Sequence, residues 1–373
     1  MEKLDYLFDF IKRNYLLSKK QEEFKLVSNH WDVFQNDFEK VIDNRKIWER
    51  MLRNSLTLGF NDALSKISNE RFQEGNYSLW TDLKKTDFPD LVFDISDDIQ
   101  RDFHLKLFRY VAEITDLTFL MKNCITDIGM PQKVEIEIKQ NAKTVKLNCN
   151  LHDLTDIYHS WLIQKYSQTF SVNSPIICEI GGGYGGLATK VKNIFPNSKV
   201  IIFDLPEVSA VQTYYLSKVF EDSIIFGMED FMKMGASILN QDFDFLILPG
   251  HIISKLLSKY SVDIFINVRS FMEMDFRLIK FYFEQIQNSL KPDGIFACFN
   301  RYEKGIRRTN SDKLNINRFV DYPFDEKWSV KYSEASNLQE HIHLLIANRE
   351  QSTPRLQFKN FLKSVKYNKR NIP

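Results

Sequence analysis

The sequence lacks the features that would place it in several large classes of protein. No apolar run approaches the roughly 18 residues that span a bilayer, and Glu2, Asp5 and Asp9 interrupt any signal-peptide core near the N-terminus. Cysteines are few, and none forms a CxxC pair or a Cys/His cluster: Cys124, Cys149, Cys178 and Cys298. We therefore expect a cytoplasmic protein without a membrane span, whose cysteines are free thiols in a reducing compartment.

Excess charge of either sign is also missing. The 373 residues carry a formal net charge of +1, which argues against non-specific electrostatic binding of nucleic acid. The tail at 351–373 is nevertheless basic, with no acid after Glu350, and it is predicted to be solvated or docked on a partner. The 31 phenylalanines and 15 tyrosines can bury enough area for a substantial core.

The pattern of apolar residues divides the chain in two. Residues 1–150 are predicted to form a mainly helical cap or dimerisation domain, with helical spacing at 31–52 and a β-hairpin at 133–149. Residues 151–350 alternate apolar runs with helical segments, which is typical of a parallel sheet covered on both faces. The predicted strands are 175–180, 199–203, 244–248, 262–267 and 294–299, with "SIIF" at 223–226 as an alternative third strand and an antiparallel pair at the end.

The stretch "PIICEIGGGYGGLATKV" (175–191) places five glycines within six positions after an apolar strand. Glycine permits positive φ and has no Cβ, so a ligand can contact the backbone there. The helix that follows presents unpaired N–H groups at its N-terminus. A strand, a glycine turn and a helix in this order therefore predict a ligand-binding turn.

Two patterns fit the same glycines. Gly181, Gly183 and Gly186 satisfy GxGxxG, the dinucleotide fingerprint. Glu179, Gly181, Gly183 and Gly185 satisfy (D/E)xGxGxG, which resembles motif I of the class I S-adenosylmethionine (SAM) methyltransferases. Both folds expect an acid at the end of the second strand to accept hydrogen bonds from ribose hydroxyls.

Asp204 in "KVIIFDLPEV" stands where that acid is expected. Together, "EIGGGYGGLA" and "FDLPEV" resemble SAM-dependent O-methyltransferases, in which a DLP tripeptide follows the second strand. Between about residues 30 and 330 the chain is more closely similar to bacterial sugar O-methyltransferases of polysaccharide gene clusters. It departs from their pattern at Arg269, where a less basic residue is expected. The matching segments are "RNSLTLGFND" (53–62), "EIGGGYGGLA", "DLPEV" with "YYLSK", "INVRSFMEM", "FNRYEK" and "DYPFDEKW".

The resemblance implies a Rossmann-like class I SAM methyltransferase sheet behind the helical N-terminal domain with its hairpin. It also implies methyl transfer from SAM to a hydroxyl of a sugar or sugar nucleotide in surface-polysaccharide synthesis. The glycine turn is expected to contact the amino-acid part of SAM, Asp204 the ribose, and the ends of strands two and three the adenine. The implied cofactor contacts are Glu179, Gly181, Gly182, Gly183, Tyr184, Gly185, Asp204, Leu205, Pro206, Leu248, Pro249 and Asn267.

The acceptor is expected beyond strands four and five. His159 and Glu273 are candidates for the general base, Arg269 for a supporting catalytic role, and His251 suits the base less well. Asp230 is the alternative to the adenine contacts Leu248, Pro249 and Gly250 if "SIIF" is the third strand. No acidic cluster has metal-ligand spacing, so no essential metal is predicted; activity that EDTA abolishes and Mg²⁺ restores would contradict this. The candidate substrate contacts are Tyr158, Ser270, Asn300, Arg301 and Tyr302.

Three other functions fit parts of the same pattern. An NAD-dependent sugar oxidoreductase or epimerase would use the same glycines, but the fingerprint lies mid-chain, behind a predicted helical region. A non-catalytic SAM-binding module would keep the glycines and Asp204. A nucleic-acid methyltransferase is disfavoured by the near-neutral charge and by the absence of an NPPY-like tetrapeptide. The N-terminal helices could equally cover the acceptor or form a homodimer interface.

Overall fold

An eight-stranded sheet is the centre of the part of the chain that can be described. The predicted helical stretch at 31–52, apart from residue 42, the segment 53–62 and the basic tail lie outside the described residues. The computed structural model describes residues 2–20, 42, 97–124, 128, 134–140, 143–149, 151–167, 173–259, 261–308, 311–339 and 341–349.

The strands fall at the predicted places, with one addition. The hairpin and the five apolar strands are confirmed, and a second hairpin, Glu303–Arg308 with Ser311–Arg318, was not predicted. The strands are β1 (Val134–Gln140), β2 (Lys143–Cys149), β3 (Ile176–Ile180), β4 (Lys199–Asp204), β5 (Ile225–Phe226), β6 (Phe245–Pro249), β7 (Val262–Val268), β8 (Leu290–Arg301), β9 (Glu303–Arg308), β10 (Ser311–Arg318), β11 (Trp328–Ala335) and β12 (Ile342–Arg349).

The strand order in the large sheet is β11-β12-β8-β7-β3-β4-β6-β5. In this order, each strand from β8 across to β5 is parallel to its neighbours in that part of the sheet. In contrast, β12 is antiparallel to both β8 and β11. The predicted antiparallel pair is therefore confirmed. The "SIIF" segment supplies only the short edge strand β5, outside β6, so the first choice for the third strand was correct.

The order of the strands creates a crevice beside β3. From β3 the chain moves outward through β4 to β6, and it then returns to place β7 and β8 on the other side of β3. In open α/β sheets, ligands bind at such a switch point, outside the carboxyl ends of the strands. The glycine turn follows β3 directly, so the sheet puts it at this crevice.

Helices cover both faces of the sheet. Neighbouring residues along a strand point to opposite faces. Both faces are buried: Ile177 packs with the helices Leu151–Ser167 and Gly186–Ile194, while Cys178 packs on the side of the helix Phe276–Ser289. Continuous apolar strands are thus required. The helices are α1 (Glu2–Lys20), α2 (Asp97–Thr115), α3 (Leu117–Lys122), α4 (Leu151–Ser167), α5 (Gly186–Ile194), α6 (Pro206–Val219), α7 (Met228–Met234), α8 (Ile253–Leu256) and α9 (Phe276–Ser289).

Helix α1 packs on the α/β domain itself. The ring centroids of Phe8 and Tyr214 are 5.6 Å apart, and the Lys19 ammonium lies 3.0 Å from the carboxylate of Glu207 on α6. A domain boundary near residue 150 stays a prediction. Cys124, Cys178 and Cys298 are free thiols, as expected. Within the described residues, no helix is both long and apolar enough to cross a membrane.

Candidate functional site

The turn after β3 has a backbone that only glycine adopts readily. Gly181, Gly183 and Gly185 have φ values of +73°, +57° and +97°, and α5 begins at Gly186. A Cβ on Gly181 would overlap the Oγ and Cβ atoms of Ser270. The predicted strand, glycine turn and helix are therefore confirmed, and the glycines are needed for both conformation and space.

Asp204 ends β4 and holds the glycine turn in place. Its Oδ1 accepts from the backbone N–H of Leu205 at 2.8 Å, and its Oδ2 accepts from the Gln212 amide at 2.7 Å. That amide also donates to the Gly183 carbonyl at 2.8 Å. Burial raises the pKa of Asp204 to about 7, against the opposing effect of these hydrogen bonds and those from Gly183 and Gly182. The sequence did not reveal the bridging role of Gln212.

Glu179 adds a second carboxyl group beneath the turn. Burial, followed by repulsion from Asp156 and Asp204, raises the pKa of Glu179 to about 8. Among the described residues, its Oε2 atom is buried and has no hydrogen-bond partner. Three acids from α4, β3 and β4 thus surround the glycine turn, which favours a ligand that brings hydrogen-bond donors or positive charge.

The raised pKa of Glu179 predicts a pH-dependent stability. Between pH 4.5 and about 8 the folded protein holds a proton that the unfolded chain has released. Because the folded state binds more protons in this window, the free energy of unfolding should fall as pH rises, by up to about 1.4 kcal/mol per pH unit for one group. Urea melts of the wild type and Glu179→Gln across the window measure this contribution.

Glu179→Gln should flatten the slope, because glutamine cannot release the proton. The matched control is Glu135→Gln on the exposed β1–β2 hairpin, which should keep the wild-type slope. Identical slopes for wild type and Glu179→Gln would mean that Glu179 ionises in the folded state as it does in the unfolded chain.

A buried amide network joins the ends of β3, β7 and β8. The Asn267 amide donates to the Ile180 carbonyl at 2.9 Å, and Ser270 Oγ donates to the same carbonyl at 3.0 Å. The Asn300 amide donates to Asn267 Oδ1 at 2.8 Å. Asn267 and Asn300 are fully buried. Both amides are therefore used inside the protein, and the cofactor contact of Asn267 and the substrate contact of Asn300 stay predictions.

Several other predicted contact residues are packed in the interior. The Tyr184 ring is buried and lies edge-on against that of Tyr215, 5.0 Å between centroids, with its hydroxyl beside Gly186. The side chain of Leu248 is fully buried in the core. Asp230 accepts from the Gly227 N–H at 3.0 Å and caps α7. Leu205 and Pro249 do lie at the neighbouring ends of β4 and β6, beside Pro206 at the start of α6.

His159 does not lie where a general base could reach an acceptor. It is fully buried, with its ring 4.8 Å from that of Phe299. Burial, and secondly the charge of Arg269, lowers its pKa to about 3. A base with this pKa is poorly matched to neutral pH. The surroundings of His159 are those of a core histidine; they disfavour its role as the base, which stays a prediction.

The remaining predicted residues do converge beyond β7 and β8. Glu273 forms an ion pair with Lys304 of β9, and both side chains are about one-fifth exposed, at 20% and 19%. Burial lowers the pKa of Lys304, the Glu273 carboxylate opposes this, and the charges of Arg301 and Arg269 lower it further. Arg269, Glu273 and Arg301 therefore share one site, and Lys304 was missed because the second hairpin was not predicted.

The two predicted substrate tyrosines have different surroundings. Tyr302 is half-buried and its hydroxyl lies 3.0 Å from Nδ1 of His343; burial raises its pKa to about 12. Tyr158 is buried, with its hydroxyl 3.4 Å from that of Tyr332 on β11. Tyr302 therefore follows Arg301, which belongs to the site shared with Arg269 and Glu273. Tyr158 instead packs against the edge of the sheet. The described residues contain no group of three or more His, Cys, Asp or Glu suited to a metal ion.

The strand order, the switch point and the glycine turn define a Rossmann-like α/β domain. A family model described as an O-methyltransferase domain matches residues 122–243, a span that includes β1 to β5 and Asp204. Acetylserotonin O-methyltransferase of Rattus norvegicus is 41% identical over 59 residues, which is 16% of this chain and 14% of that protein. The enzyme of Homo sapiens is 37% identical over 59 residues, 16% and 17% of the two chains. The chain therefore spans about a sixth of the length of these relatives.

Solved methyltransferase structures share less sequence identity with this chain than these relatives do, and their TM-scores are low. Mitomycin 7-O-methyltransferase MmcR gives a TM-score of 0.33 at 13% identity, covering 53% of this chain and 57% of that chain. Geranyl diphosphate C-methyltransferase from Streptomyces coelicolor A3(2) gives 0.36 at 12% identity, covering 54% and 78%. At these TM-scores the fold assignment rests on the strand order of this chain.

Proposed function

We propose that this protein is a SAM-dependent O-methyltransferase. The observation that supports it most is the glycine turn at the switch point, held by Asp204, inside the region that the O-methyltransferase family model matches. The surroundings fit the cofactor. The buried Oε2 of Glu179, which has no partner among the described residues, can accept from an amino group, and Asp204 can accept from ribose hydroxyls.

The chain's own groups would bind SAM, hold the acceptor and take up the proton of its hydroxyl. The backbone of Gly181 to Gly185 would hold the amino-acid part of SAM, while Leu205 and Pro249 would flank the adenine. SAM supplies a methyl group already activated by the sulfonium. The protein must hold an acceptor hydroxyl in line with it, since positioning alone is worth about 7–11 kcal/mol in well-oriented systems, and must take up the hydroxyl proton.

Glu273 is the base that the geometry favours. It is partly exposed beyond β7, on the acceptor side, whereas His159 is enclosed in the core. Its ion pair with Lys304 fixes the carboxylate in place. Glu273→Gln should lower kcat by about 10²–10⁴-fold, the usual contribution of a general base, with unchanged affinity for S-adenosylhomocysteine.

For the acceptor, we propose a hydroxyl of a sugar or sugar nucleotide in surface-polysaccharide synthesis. The similarity of the segments around "INVRSFMEM" and "FNRYEK" to the sugar O-methyltransferases supports this, as do the polar and planar groups beyond β7 and β8. The curated relatives are named for acetylserotonin, so an aromatic hydroxyl compound is the alternative acceptor. Product formation with neutral sugars, sugar nucleotides and N-acetylserotonin in parallel distinguishes the two.

Calorimetric titration of the protein with S-adenosylhomocysteine, with NAD⁺ in parallel, tests the cofactor. We expect saturable binding of the first and none of the second. Asp204→Asn should weaken the binding, because the amide replaces one acceptor with a donor, whereas Lys233→Gln on α7 should not. Binding of NAD⁺ alone would favour an oxidoreductase or epimerase. Binding of S-adenosylhomocysteine without turnover on any acceptor would favour a non-catalytic module.

A further inference from the structure

The pairing of β7, β8 and β12 brings basic side chains to one edge of the sheet. The backbone N–H of Arg269 donates to the Phe299 carbonyl at 2.8 Å, which places the residue after β7 beside the end of β8. Arg301 ends β8 opposite Ile342 of β12, and the Tyr302 N–H donates to the His341 carbonyl at 3.1 Å. Arg269, Arg301 and His341 therefore meet at the carboxyl edge, next to the cofactor crevice.

Lys304 of β9 joins this group as its third cation, beside Arg269 and Arg301. We call Arg269, Arg301, Lys304 and His341 the basic cluster. Glu273 forms the ion pair with Lys304 described above, so a carboxylate lies beside these cations. The members repel one another: after burial, the charges of Arg301, Arg269 and Lys304 lower the pKa of His341 to about 2. Like charges gathered at the carboxyl edge of the sheet are a candidate binding site.

Arg269 has the least compensated charge of the cluster. In the described portion of the chain, its guanidinium takes part in no hydrogen bond or ion pair with another side chain. The backbone of Arg269 has φ +61°. Among the described non-glycine residues, only Asp116 also has a positive φ. A strained backbone that holds a half-buried guanidinium at the mouth of a site is a recurrent feature of ligand clamps.

We propose that the acceptor carries an anionic group, a phosphate or a carboxylate, and that the basic cluster binds it with Arg269 as the principal contact. This inference rests on the proposed function, since it names the class of molecule that the same site methylates. The planar guanidinium binds both oxyanions in a bidentate manner. With the anion fixed beyond β8, the accepting hydroxyl lies between Glu273 and the cofactor crevice.

The test uses oxyanions as probes on the full chain, so that the sugar need not be known. Thermal unfolding is followed with inorganic phosphate, pyrophosphate, acetate or glucuronate, against chloride at matched ionic strength. We expect a rise in Tm with the phosphates or with the carboxylates, and this difference identifies the anionic group. Arg269→Gln should weaken the effective probe about tenfold, the loss expected for a charged hydrogen-bond partner.

Two further variants control the result. Lys233→Gln removes the same charge from the exposed surface of α7 and should keep the wild-type response. Arg269→Gly adopts positive φ without strain, so a loss of probe binding there is not a folding defect. The proposal is overturned if no oxyanion raises Tm, or if both Arg269 variants respond as the wild type does. Probe binding without S-adenosylhomocysteine binding would retain the anion site and reject the methyltransferase.

Discussion

Gly181→Ala should abolish binding of S-adenosylhomocysteine and lower the free energy of unfolding by about 3 kcal/mol. A side chain at φ +73° costs roughly 1–2 kcal/mol. The new Cβ would also displace Ser270, whose Oγ is hydrogen-bonded to the Ile180 carbonyl, and each such bond is worth about 1 kcal/mol. Urea melts and calorimetric titration measure the two effects.

Gly235→Ala is the matched control. Gly235 also has positive φ, at +58°, but a Cβ there would meet nothing within 4 Å. It should therefore cost only the backbone strain, roughly 1–2 kcal/mol, and leave the ligand affinity unchanged. Ser270→Gly combined with Gly181→Ala should recover part of the lost stability by making space for the Cβ. Equal losses for the two glycine variants would show that contact with Ser270 is unimportant.

The architecture could be predicted because it depends on signals that are local in sequence. An apolar run such as "IICEI" must be buried on both faces, and five glycines after it require a turn. Asp204 follows from the same reasoning, since a position at the end of the second strand fixes its place at the crevice. The hydrogen bonds of its carboxylate with Gly182, Gly183 and Gln212 depend on tertiary contacts, so they could not be predicted in the same way.

The roles of individual polar residues were harder to predict for the same reason. Asn300 and Arg301 are neighbours in sequence, but alternation along β8 buries the first in the amide network and turns the second toward the basic cluster. His159 is one turn of α4 away from Asp156, yet it faces Phe299. The second hairpin lacks a strong apolar alternation, and with it Lys304 was missed.

The buried ion pair between α4 and α5 should give the largest stability effect. Lys190 and Asp153 lie 3.0 Å apart and each side chain is 1% exposed. Burial alone would lower the pKa of Lys190, but the carboxylate of Asp153, with Tyr215 and Asp156, outweighs it and raises the pKa. Asp153→Ala leaves a buried ammonium without this partner and should cost about 3–5 kcal/mol, measured by urea melts.

The exposed pair of Lys146 with Glu135 on the first hairpin provides the comparison. Its ions are 2.8 Å apart but more than half exposed, and Glu135→Ala should cost less than about 1 kcal/mol.

Replacing both buried partners, as Asp153→Leu with Lys190→Met, should cost less than Asp153→Ala alone, because no unpaired charge remains. Because α5 begins at the glycine turn, Asp153→Ala should also weaken S-adenosylhomocysteine binding, whereas the double variant should bind more tightly than Asp153→Ala. Additive losses from the two replacements would mean that Lys190 and Asp153 stabilise the fold through packing and not through their charges.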